Sequence, residues 1–444
     1  MATGKKNSRL RRMARLGGLS SRVGSSYLGQ RVKGVFQDEE LRQRAVDKLH
    51  IENAERIAQT MGAMKGAAMK VGQQIAQVVE GMDLPPEVAA HLRTLNDKAE
   101  PVPFEVVKAE IERELEASVD ELFDRIDPEP LGTASLAQAH AAWLADGTAV
   151  VVKVLHPGVE DSVDSDLSAL KSIFIGGRVL NRDRGEIEDI FSEIRDRLQE
   201  ELDYYKEAAN LEFFRGALAE VDGVRVPGTY PKLCTERVLT MDRLPGVPLD
   251  TFLKVASDEA RQRAGVALAQ TFFTMIYDLR ALHADPHAGN YLFELDGTVG
   301  LLDFGCVKRF DEYFVADYAR VAEAAFVRDR DEVIKILKPM GSLTSDNPKA
   351  ADLLWDLVDI MAVPFREGTL TAGSQEDSLQ DRIRSLGPRF LLYPEIRTPK
   401  DMIYLHRSLA GTYAMLRRLK TEADWGEMSH PFHRLAIDRA EGRG

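Results

Sequence analysis

Apolar residues repeat with the period of a helix in three long regions of the chain. One amphipathic stripe runs through 57–78, a helical segment is predicted at 104–122, and a further stripe runs through 186–218. Everything after Asp250 is also predicted to be helical, apart from a hairpin at 291–303. The pattern therefore predicts a chain made mainly of helices, with its strands confined to short regions.

The strands are predicted between 134 and 244. Residues 134–144 and 148–155 form the arms of a hairpin around an Asp-Gly turn, since Asp-Gly is a strong hairpin signal. The prolines of 127–130 mark a loop before it, and 224–244 reads as strands that end in a connector. This order indicates an α+β protein with four regions: a basic leader (1–37), a helical extension (38–100), a lobe that contains the sheet (101–240) and a larger helical lobe with a catalytic hairpin (241–444).

Composition narrows the class of protein. The longest uncharged apolar run, Ala264 to Tyr277, has 14 residues and is too short to cross a bilayer, so we interpret it as a buried helix. The two cysteines, Cys234 and Cys306, have no metal-ligand spacing, which favours a reducing compartment such as the cytoplasm. We expect no transmembrane segment.

Charge is distributed unevenly along the chain. The net charge is −13, yet residues 1–37 carry nine basic side chains and no acidic one. An acidic body argues against nucleic acid as a partner. The leader is open to three interpretations: a solvated tail, a segment that contacts an anionic membrane surface, or an organellar transit peptide.

Three polar residues surround the predicted hairpin. Asp285 is followed five residues later by Asn290, and Asp303 comes directly after the hairpin. Kinases use this spacing to hold an acceptor and two magnesium ions against ATP. Asp285 would orient the attacking hydroxyl or water, while Asn290 and Asp303 would supply oxygen ligands to Mg²⁺. The neighbouring His283 and His287 lack a third ligand for a zinc site.

A lysine interrupts the run of valines in the second hairpin arm. An ammonium group is costly to bury unpaired, so Lys153 requires an acidic partner or a phosphate, unless it reaches solvent from an edge strand. Glu207 is the candidate partner. At ~4 Å and an effective dielectric of about 20, such a pair interacts by ~4 kcal/mol before desolvation. Lys153 and Glu207 are therefore predicted to act together in the catalytic site.

The loop at 131–138 lies where kinases keep a glycine-rich cover over the phosphates. Here Gly132 is its only glycine, so we expect nucleotide handling to differ from that of an ordinary protein kinase, with Ala134 and Ser135 as candidate contacts. A plain β-turn is the alternative interpretation. Met241 to Leu244 is the candidate connector on the adenine side, so Met241 and Leu244 are candidate nucleotide contacts.

Four motifs in order give the chain a resemblance to a known family. Lys70-Val71-Gly72-Gln73, the Ala-rich loop at 131–138, Glu201-Leu202-Asp203 and the loop at 283–290 resemble the KxGQ, Ala-rich, ExD and catalytic motifs of the UbiB/AarF family of atypical kinase-like ATPases. The resemblance covers residues 55–310. It implies a two-lobed protein-kinase-like fold that uses ATP and Mg²⁺.

The resemblance also implies residue roles. The N-terminal helical extension would fold over the cleft, obstruct access by peptides and reach into the site with Lys70 and Gln73. Glu201 and Asp203 would be the acidic counterparts of that helix, and Glu207 the partner of Lys153.

The sequence departs from the family pattern in several places. Gly132 and Thr133 replace alanines of the loop, which puts nucleotide selectivity in question, and Ala288 replaces a common proline. No membrane-spanning C-terminal helices are evident, which puts firm membrane anchoring in question. The sequence predicts neither the acceptor nor the oligomeric state.

Family members are associated with quinone and isoprenoid-lipid metabolism, so the resemblance implies an ATPase that acts on a quinone-like lipid, or on access to one, at a membrane surface. A phosphotransferase acting on a small molecule or protein is the second hypothesis, and a nucleotide-binding pseudokinase scaffold is the third. The segment after Asp303 leaves almost no room for an activation loop before a helix that starts near Asp311, and no Ala-Pro-Glu follows. Generic peptides are therefore expected to be poor phosphate acceptors.

Overall fold

The computed structural model describes residues 101–177, 184–284, 286–366, 368–374, 379–390 and 392–443, with scattered residues between 18 and 60. Almost all of the stripe predicted at 57–78 lies outside the described residues, as do most of the leader and of the helical extension. Lys70, Gln73 and Asp285 also lie outside them.

The chain divides into two compact units. The first takes the described residues up to Lys206 together with Tyr230–Met241, and the second takes Glu207–Thr229 and the chain from Asp242 onwards. Each unit has strands and helices of its own. The predicted α+β class is confirmed.

The elements that begin in the first unit are, in chain order, α1 (Phe104–Leu115), α2 (Val119–Leu122), β1 (Arg125–Thr133), β2 (Ala137–Trp143), β3 (Ala149–Leu155), α3 (Val159–Gly177), α4 (Arg184–Glu201), α5 (Tyr204–Ala217) and β5 (Val238–Asp242). The strand that precedes β5 in the chain, β4 (Val224–Arg225), belongs to the second unit. The strand order in the sheet is β1-β2-β3-β5, with β2 antiparallel to both β1 and β3. Alternate residues of β3, including Val150, Val152 and Val154, are buried against Val107 and Ile111 of α1. This apolar face fixes the register of the hairpin.

The predicted loop at 127–130 is part of β1 instead. Its prolines are tolerated because β1 is the edge strand of the sheet and its pairing with β2 shifts register on both sides of Pro130. The hairpin at β2 and β3 is confirmed, with Asp146 and Gly147 in its turn and Asp146 Oδ1 accepting the N–H of Thr148 at 2.9 Å.

The remaining elements of the second unit are β4 (Val224–Arg225), α6 (Leu249–Val255), α7 (Asp258–Phe273), β6 (Ala281–His283), β7 (Tyr291–Phe293), β8 (Val299–Leu301), β9 (Val307–Arg309), α8 (Glu312–Phe326), α9 (Arg330–Leu337), α10 (Pro348–Arg366), β10 (Thr369–Thr371), α11 (Leu379–Phe390), α12 (Lys400–Leu419), β11 (Glu422–Asp424) and α13 (Trp425–Ala440). The predicted hairpin is β7 and β8, which β4 joins in parallel. The antiparallel pairs β6-β9 and β10-β11 were not predicted.

The uncharged apolar run of the sequence is a buried helix, as predicted. It occupies the end of α7 and continues as a π-helix over Thr274–Asp278. Ala264, Leu268 and Ile276 are among its buried residues. Within the described ranges, no helix combines the length and apolar character needed to cross a bilayer.

The helix predicted over 186–218 is divided in two. α4 ends at Glu201, and Asp203 starts α5 by accepting the N–H groups of Tyr205 and Lys206 at 3.1 and 3.3 Å. Glu200, Asp203 and Glu207 therefore do not share the face of one continuous helix. The helix predicted over 104–122 is likewise divided, because Ser118 and Glu121 form a capping box that starts α2.

Candidate functional site

The strand lysine lies on the more open face of its sheet. In β3 the valines at 150, 152 and 154 are buried, whereas Lys153 is half-buried and pairs through its backbone with Ala139 of β2. Its Nζ is 5.2 Å from the centre of the Tyr204 ring. This placement keeps the ammonium group out of the apolar core, and an aromatic face next to a cation is favourable.

The turn between β1 and β2 holds Ala134 and Ser135. The N–H of Ala134 donates to the carbonyl of Ala137 at 2.8 Å, and the ring of His156 contacts the Ala134 carbonyl through Nε2 at 3.2 Å. Burial lowers the pKa of His156, so the neutral ring donates this hydrogen bond from Nε2–H. Both polar backbone groups of Ala134 are thus engaged within the turn, and Ser135 is buried.

The backbone conformation at position 132 does not require glycine. Its φ lies outside the left-handed region, and a β-carbon built on it would meet no atom within 4 Å. The sequence difference at this position therefore leaves the turn geometrically unchanged.

A buried polar network lies beside this turn, and sequence reasoning gave its members no role. Gln138 accepts the N–H of Val102 at 2.8 Å and donates to the Val102 carbonyl at 3.1 Å. The Gln138 amide nitrogen is 2.9 Å from His140 Nε2, and His140 Nδ1 is 2.8 Å from the carbonyl of Asp127. Since a carbonyl only accepts, Nδ1 carries the proton and Nε2 accepts from Gln138. The network ties the start of α1 to the edge of the sheet.

The second unit positions Asn290 and Asp303 at the same end of the β7-β8 hairpin. Tyr291 pairs with Leu301, and the N–H of Leu302 donates to the carbonyl of Asn290 at 2.9 Å. A short 3-10 turn, Ala288–Asn290, precedes β7 and is capped by the His287 ring, which accepts the N–H of Gly289. His287 is thus a loop residue that caps this turn.

Asp303 starts a tight turn that is held in place by contacts with α5. Its Oδ1 accepts the N–H of Gly305 at 3.0 Å. The side-chain amide of Asn210 donates to the carbonyl of Phe304 at 3.0 Å, and the ring of Phe214 stacks on Phe304 with centroids 4.5 Å apart and planes 19° apart. His283, at the end of β6, lies against the same Phe304 ring at 5.5 Å.

Glu207 lies on the same face of α5, because residues three and seven positions apart on a helix share a face. A β-carbon built on Gly305 would lie 3.4 Å from Asp303 Oδ1 and 3.5 Å from Glu207 Oε2. Two carboxylates therefore approach one point, and Glu207 is only 2% exposed. A buried carboxylate requires cations or hydrogen-bond donors. Two acidic groups at one point are suited to a divalent cation or an ammonium group.

Asn210 and Phe214 were missed by sequence reasoning. Their signal was the spacing 207, 210, 214, which places a carboxylate, an amide and an aromatic ring on one helix face. The break at Leu202–Asp203 that defines this helix was hidden by the apolar stripe, which continues through Leu198 and Leu202, both buried.

The connector residues are buried or packed. Met241 is the next-to-last residue of β5, and 6% of its surface is exposed. Leu244, in the second unit, lies against Gly300 of β8, where an added β-carbon would be 3.0 Å from Leu244 Cδ1. Leu244 thus fills space beside the hairpin, and its contact with an adenine base stays a prediction.

The predicted residues are distributed over both units. Lys153, Ala134, Ser135 and Met241 belong to the first, while Glu207, Leu244, Asn290 and Asp303 belong to the second, which brings Glu207 and Asp303 together. The pairing of Lys153 with Glu207 stays a prediction.

Among the described residues, no three His, Cys, Asp or Glu side chains are grouped in a way that could hold a metal ion. A magnesium site of the predicted kind combines an amide oxygen, a carboxylate and oxygens of the nucleotide, so it does not need such a group. The donor types at Asn290 and Asp303 fit this ion.

Comparison with known proteins gives a consistent result. The model of the ABC1 atypical kinase-like domain matches residues 94–337. Atypical kinase COQ8B, mitochondrial, from Rattus norvegicus is 31% identical over 93% of this chain and 78% of its own length. Atypical kinase COQ8, mitochondrial, from Saccharomyces cerevisiae is 28% identical over 93% of this chain and 82% of its own length.

Among solved structures, the erythromycin complex of Rv3197 from Mycobacterium tuberculosis is similar in fold. It has a TM-score of 0.60 and 23% identity, covering 88% of this chain and 96% of that one. The resemblance stated from the motifs and the kinase-like fold are both confirmed. The chain belongs to the ABC1 atypical kinase-like family, whose members are ATP-dependent atypical kinases or ATPases.

Proposed function

We propose that the chain binds MgATP and hydrolyses it, and that this ATPase activity supports quinone or isoprenoid-lipid metabolism, including ubiquinone biosynthesis, at a membrane surface. The single observation that carries the nucleotide part is the convergence of the Glu207 and Asp303 carboxylates at Gly305. The desolvation of a carboxylate opposes folding, so the burial of Glu207 beside Asp303 supports a role in binding a cation or an ammonium group.

Each residue has a proposed role in the reaction. Asp303 and Asn290 would hold Mg²⁺, whose charge would stabilise the negative charge on the transferring phosphoryl group. Lys153 would orient phosphate oxygens, and Glu207 would hold that lysine through an ion pair. Asp285 would orient the attacking water or hydroxyl by accepting its hydrogen bond.

Further contacts with the nucleotide are proposed from the sequence. Ala134 and Ser135 would border the phosphates, Met241 and Leu244 the base. Lys70 and Gln73 would reach the site from the extension. The short segment between Gly305 and α8 supports a site that is not built for peptides.

The lipid part of the proposal rests on the relatives. Proteins named COQ8 and COQ8B are similar to the chain over most of its length, and this supports a role connected with coenzyme Q, a quinone with an isoprenoid tail. Residues 1–37, with nine basic side chains, are proposed to contact anionic lipid.

The magnesium assignment is tested with Asp303→Asn, which retains shape and removes one charge. The thermal shift given by MgATP over ATP with EDTA is expected to disappear, because a ligand stabilises the fold by RT ln(1 + [L]/Kd) and the loss of Mg²⁺ raises the Kd. Asp296→Asn is the matched control, since Asp296 lies in the turn of the same hairpin and Asn-Gly forms that turn equally well. An unchanged magnesium-dependent shift in Asp303→Asn would refute the assignment.

A phosphotransferase acting on a small molecule or protein is the second candidate. Following the γ-phosphate of labelled ATP, with and without anionic liposomes that contain a quinone, separates the two. Free phosphate that increases with liposomes supports the ATPase, whereas a labelled acceptor supports transfer. Nucleotide binding with no release of phosphate under either condition would leave a scaffold as the function.

A further inference from the structure

One face of α12 contacts both halves of the proposed catalytic segment. Asp401, Tyr404, Ser408 and Gly411 follow one another at spacings of three and four, so they form a single stripe on the helix. We call these four residues the brace face. A different set of α12 side chains is buried in the core of the unit: Met402, Leu405, Met415, Leu416 and Leu419.

Ser408 holds the start of the catalytic loop. Its Oγ donates to the carbonyl of His283 at 3.1 Å, and Ser408 is only 1% exposed. His283 also pairs with Val307 across β6 and β9. The residue two positions before Asp285 is therefore fixed by a side chain of α12 as well as by its own strand.

Gly411 lies directly against the proline that follows Asp285. A β-carbon built on Gly411 would be 2.5 Å from Cγ and 3.1 Å from the carbonyl oxygen of Pro286. The proline ring is closed onto its own backbone, so beyond a small change of ring pucker it moves only with the backbone of the catalytic loop, whose Pro286 carbonyl oxygen is also in close contact. Glycine at 411 thus sets how closely the helix and the loop approach.

The first turn of α12 holds the segment that follows Asp303. Lys308 of β9 forms an ion pair with Asp401, with Nζ and Oδ1 2.7 Å apart, and the same Nζ is 5.4 Å from the centre of the Tyr404 ring. In protein kinases the corresponding segment is ordered by phosphorylation of a hydroxyl. Residues 306–311 contain no Ser, Thr or Tyr, so that device is absent from these residues.

We propose that the brace face of α12 positions the catalytic machinery permanently, with Ser408 and Gly411 as positioning residues for Asp285 and with Asp401 as a positioning residue for the segment after Asp303. This inference rests on the proposed function of that machinery. The helix replaces an activation segment that must be modified, and the part of the site that the second unit carries is assembled whenever that unit is folded.

The closing experiment uses Gly411→Ala in the full chain. A small cavity lined by Met275, Leu282 and Pro286 lies beside the loop, so there is space next to the loop for the displacement that the added methyl group requires. The matched control is Gly387→Ala in α11, where an added β-carbon meets no atom within 4 Å. Displacement by ~1 Å lowers turnover by up to about 100-fold.

We expect kcat for ATP to fall at least tenfold in Gly411→Ala, the KM for ATP to change less than threefold, and the MgADP thermal shift to persist, because nucleotide binding does not require Asp285. Gly387→Ala should match the wild type. Ser408→Ala, a milder change that removes one hydrogen bond, should lower kcat about three- to tenfold and keeps the test available if Gly411→Ala does not fold. The inference would be overturned if Gly411→Ala had the same kcat as the control Gly387→Ala. If Gly411→Ala does not fold, the same comparison is made between Ser408→Ala and the control.

Amide hydrogen exchange separates this inference from the proposed function. The peptide that spans 283–290 should exchange faster in Gly411→Ala than in Gly387→Ala, whether or not the wild type hydrolyses ATP. If the wild type did not hydrolyse ATP but the two variants differed in exchange, the ATPase proposal would be refuted and the positioning role of the brace face would stand. If the two variants exchanged at the same rate, the positioning role of the brace face would be refuted.

Discussion

The stacking of Phe214 on Phe304 predicts that a substitution of Phe214 lowers turnover more than the accompanying loss of stability explains. Both rings are fully buried, and their planes lie 19° apart with centroids separated by 4.5 Å. Phe214→Leu removes the stack, worth ~0.5–1.5 kcal/mol, and leaves part of the ring volume empty. The expected loss in the free energy of unfolding is therefore ~1–3 kcal/mol.

The loss should be accompanied by a fall in turnover. Phe304 lies directly between Asp303 and Gly305, so the space left by the missing ring lets the Asp303 turn shift relative to Glu207. We expect kcat for ATP to fall about 10- to 100-fold, as for small displacements of catalytic groups.

The chain provides a matched control in the same unit. Phe252 stacks on Phe293 with centroids 5.2 Å apart and planes 26° apart, and both residues are fully buried. Phe252→Leu should cost a similar free energy, measured by urea unfolding, and change kcat less than threefold. If the two variants lost turnover equally at equal stability, the positioning role of Phe214 would be refuted.

Three further predictions concern other sites. Gln138→Leu should lower the free energy of unfolding by about 2–4 kcal/mol in urea melts, because Val102 and His140 lose partners in a buried place; a loss below about 0.5 kcal/mol would contradict the network. Gly132→Ala should leave the melting temperature within about 2 °C of the wild type, as its φ and surroundings admit a methyl group; a larger fall would show hidden strain. Burial lowers the pKa of His406 to about 4 from 6.5. The unfolded chain therefore takes up the proton first, and up to ~3 kcal/mol of stability is lost as pH falls from 6.5 towards 4. His406→Gln should flatten that slope in pH-dependent melts, and an unchanged slope would exclude His406 as its source.

Local signals predicted the elements that carry strong turn chemistry. Both hairpins have an Asp-Gly turn, at Asp146 and at Asp296, and both are present. Local signals do not predict β1, because prolines usually indicate a loop, whereas an edge strand accommodates them through shifts of register. The break before α5 was missed because helix periodicity continued through it, although Asp203 was an available capping signal.

The convergence of distant segments was beyond local reasoning. The hydrogen bond from Asn210 to Phe304 joins residues that are 94 positions apart. The contacts of α12 join Ser408 to His283 across 125 positions. The spacing of residues in the sequence does not predict such contacts, because they depend on how whole helices pack against one another. The motif predicts candidate catalytic residues, but no local pattern predicts the residues that contact their segments.

These two sets of contacts also constrain how activity could be controlled. α5 fixes Asp303 through Asn210 and Phe214, and α12 fixes the loop and β9 through the brace face. Since residues 306–311 offer no hydroxyl to phosphorylate, phosphorylation within this segment is not available as a switch. Access to the site and the nucleotide itself are two other points at which control could act. The predicted extension with Lys70 and Gln73 would act in the first way, so its removal should change which acceptors reach the site and leave the geometry around Asp303 unaltered.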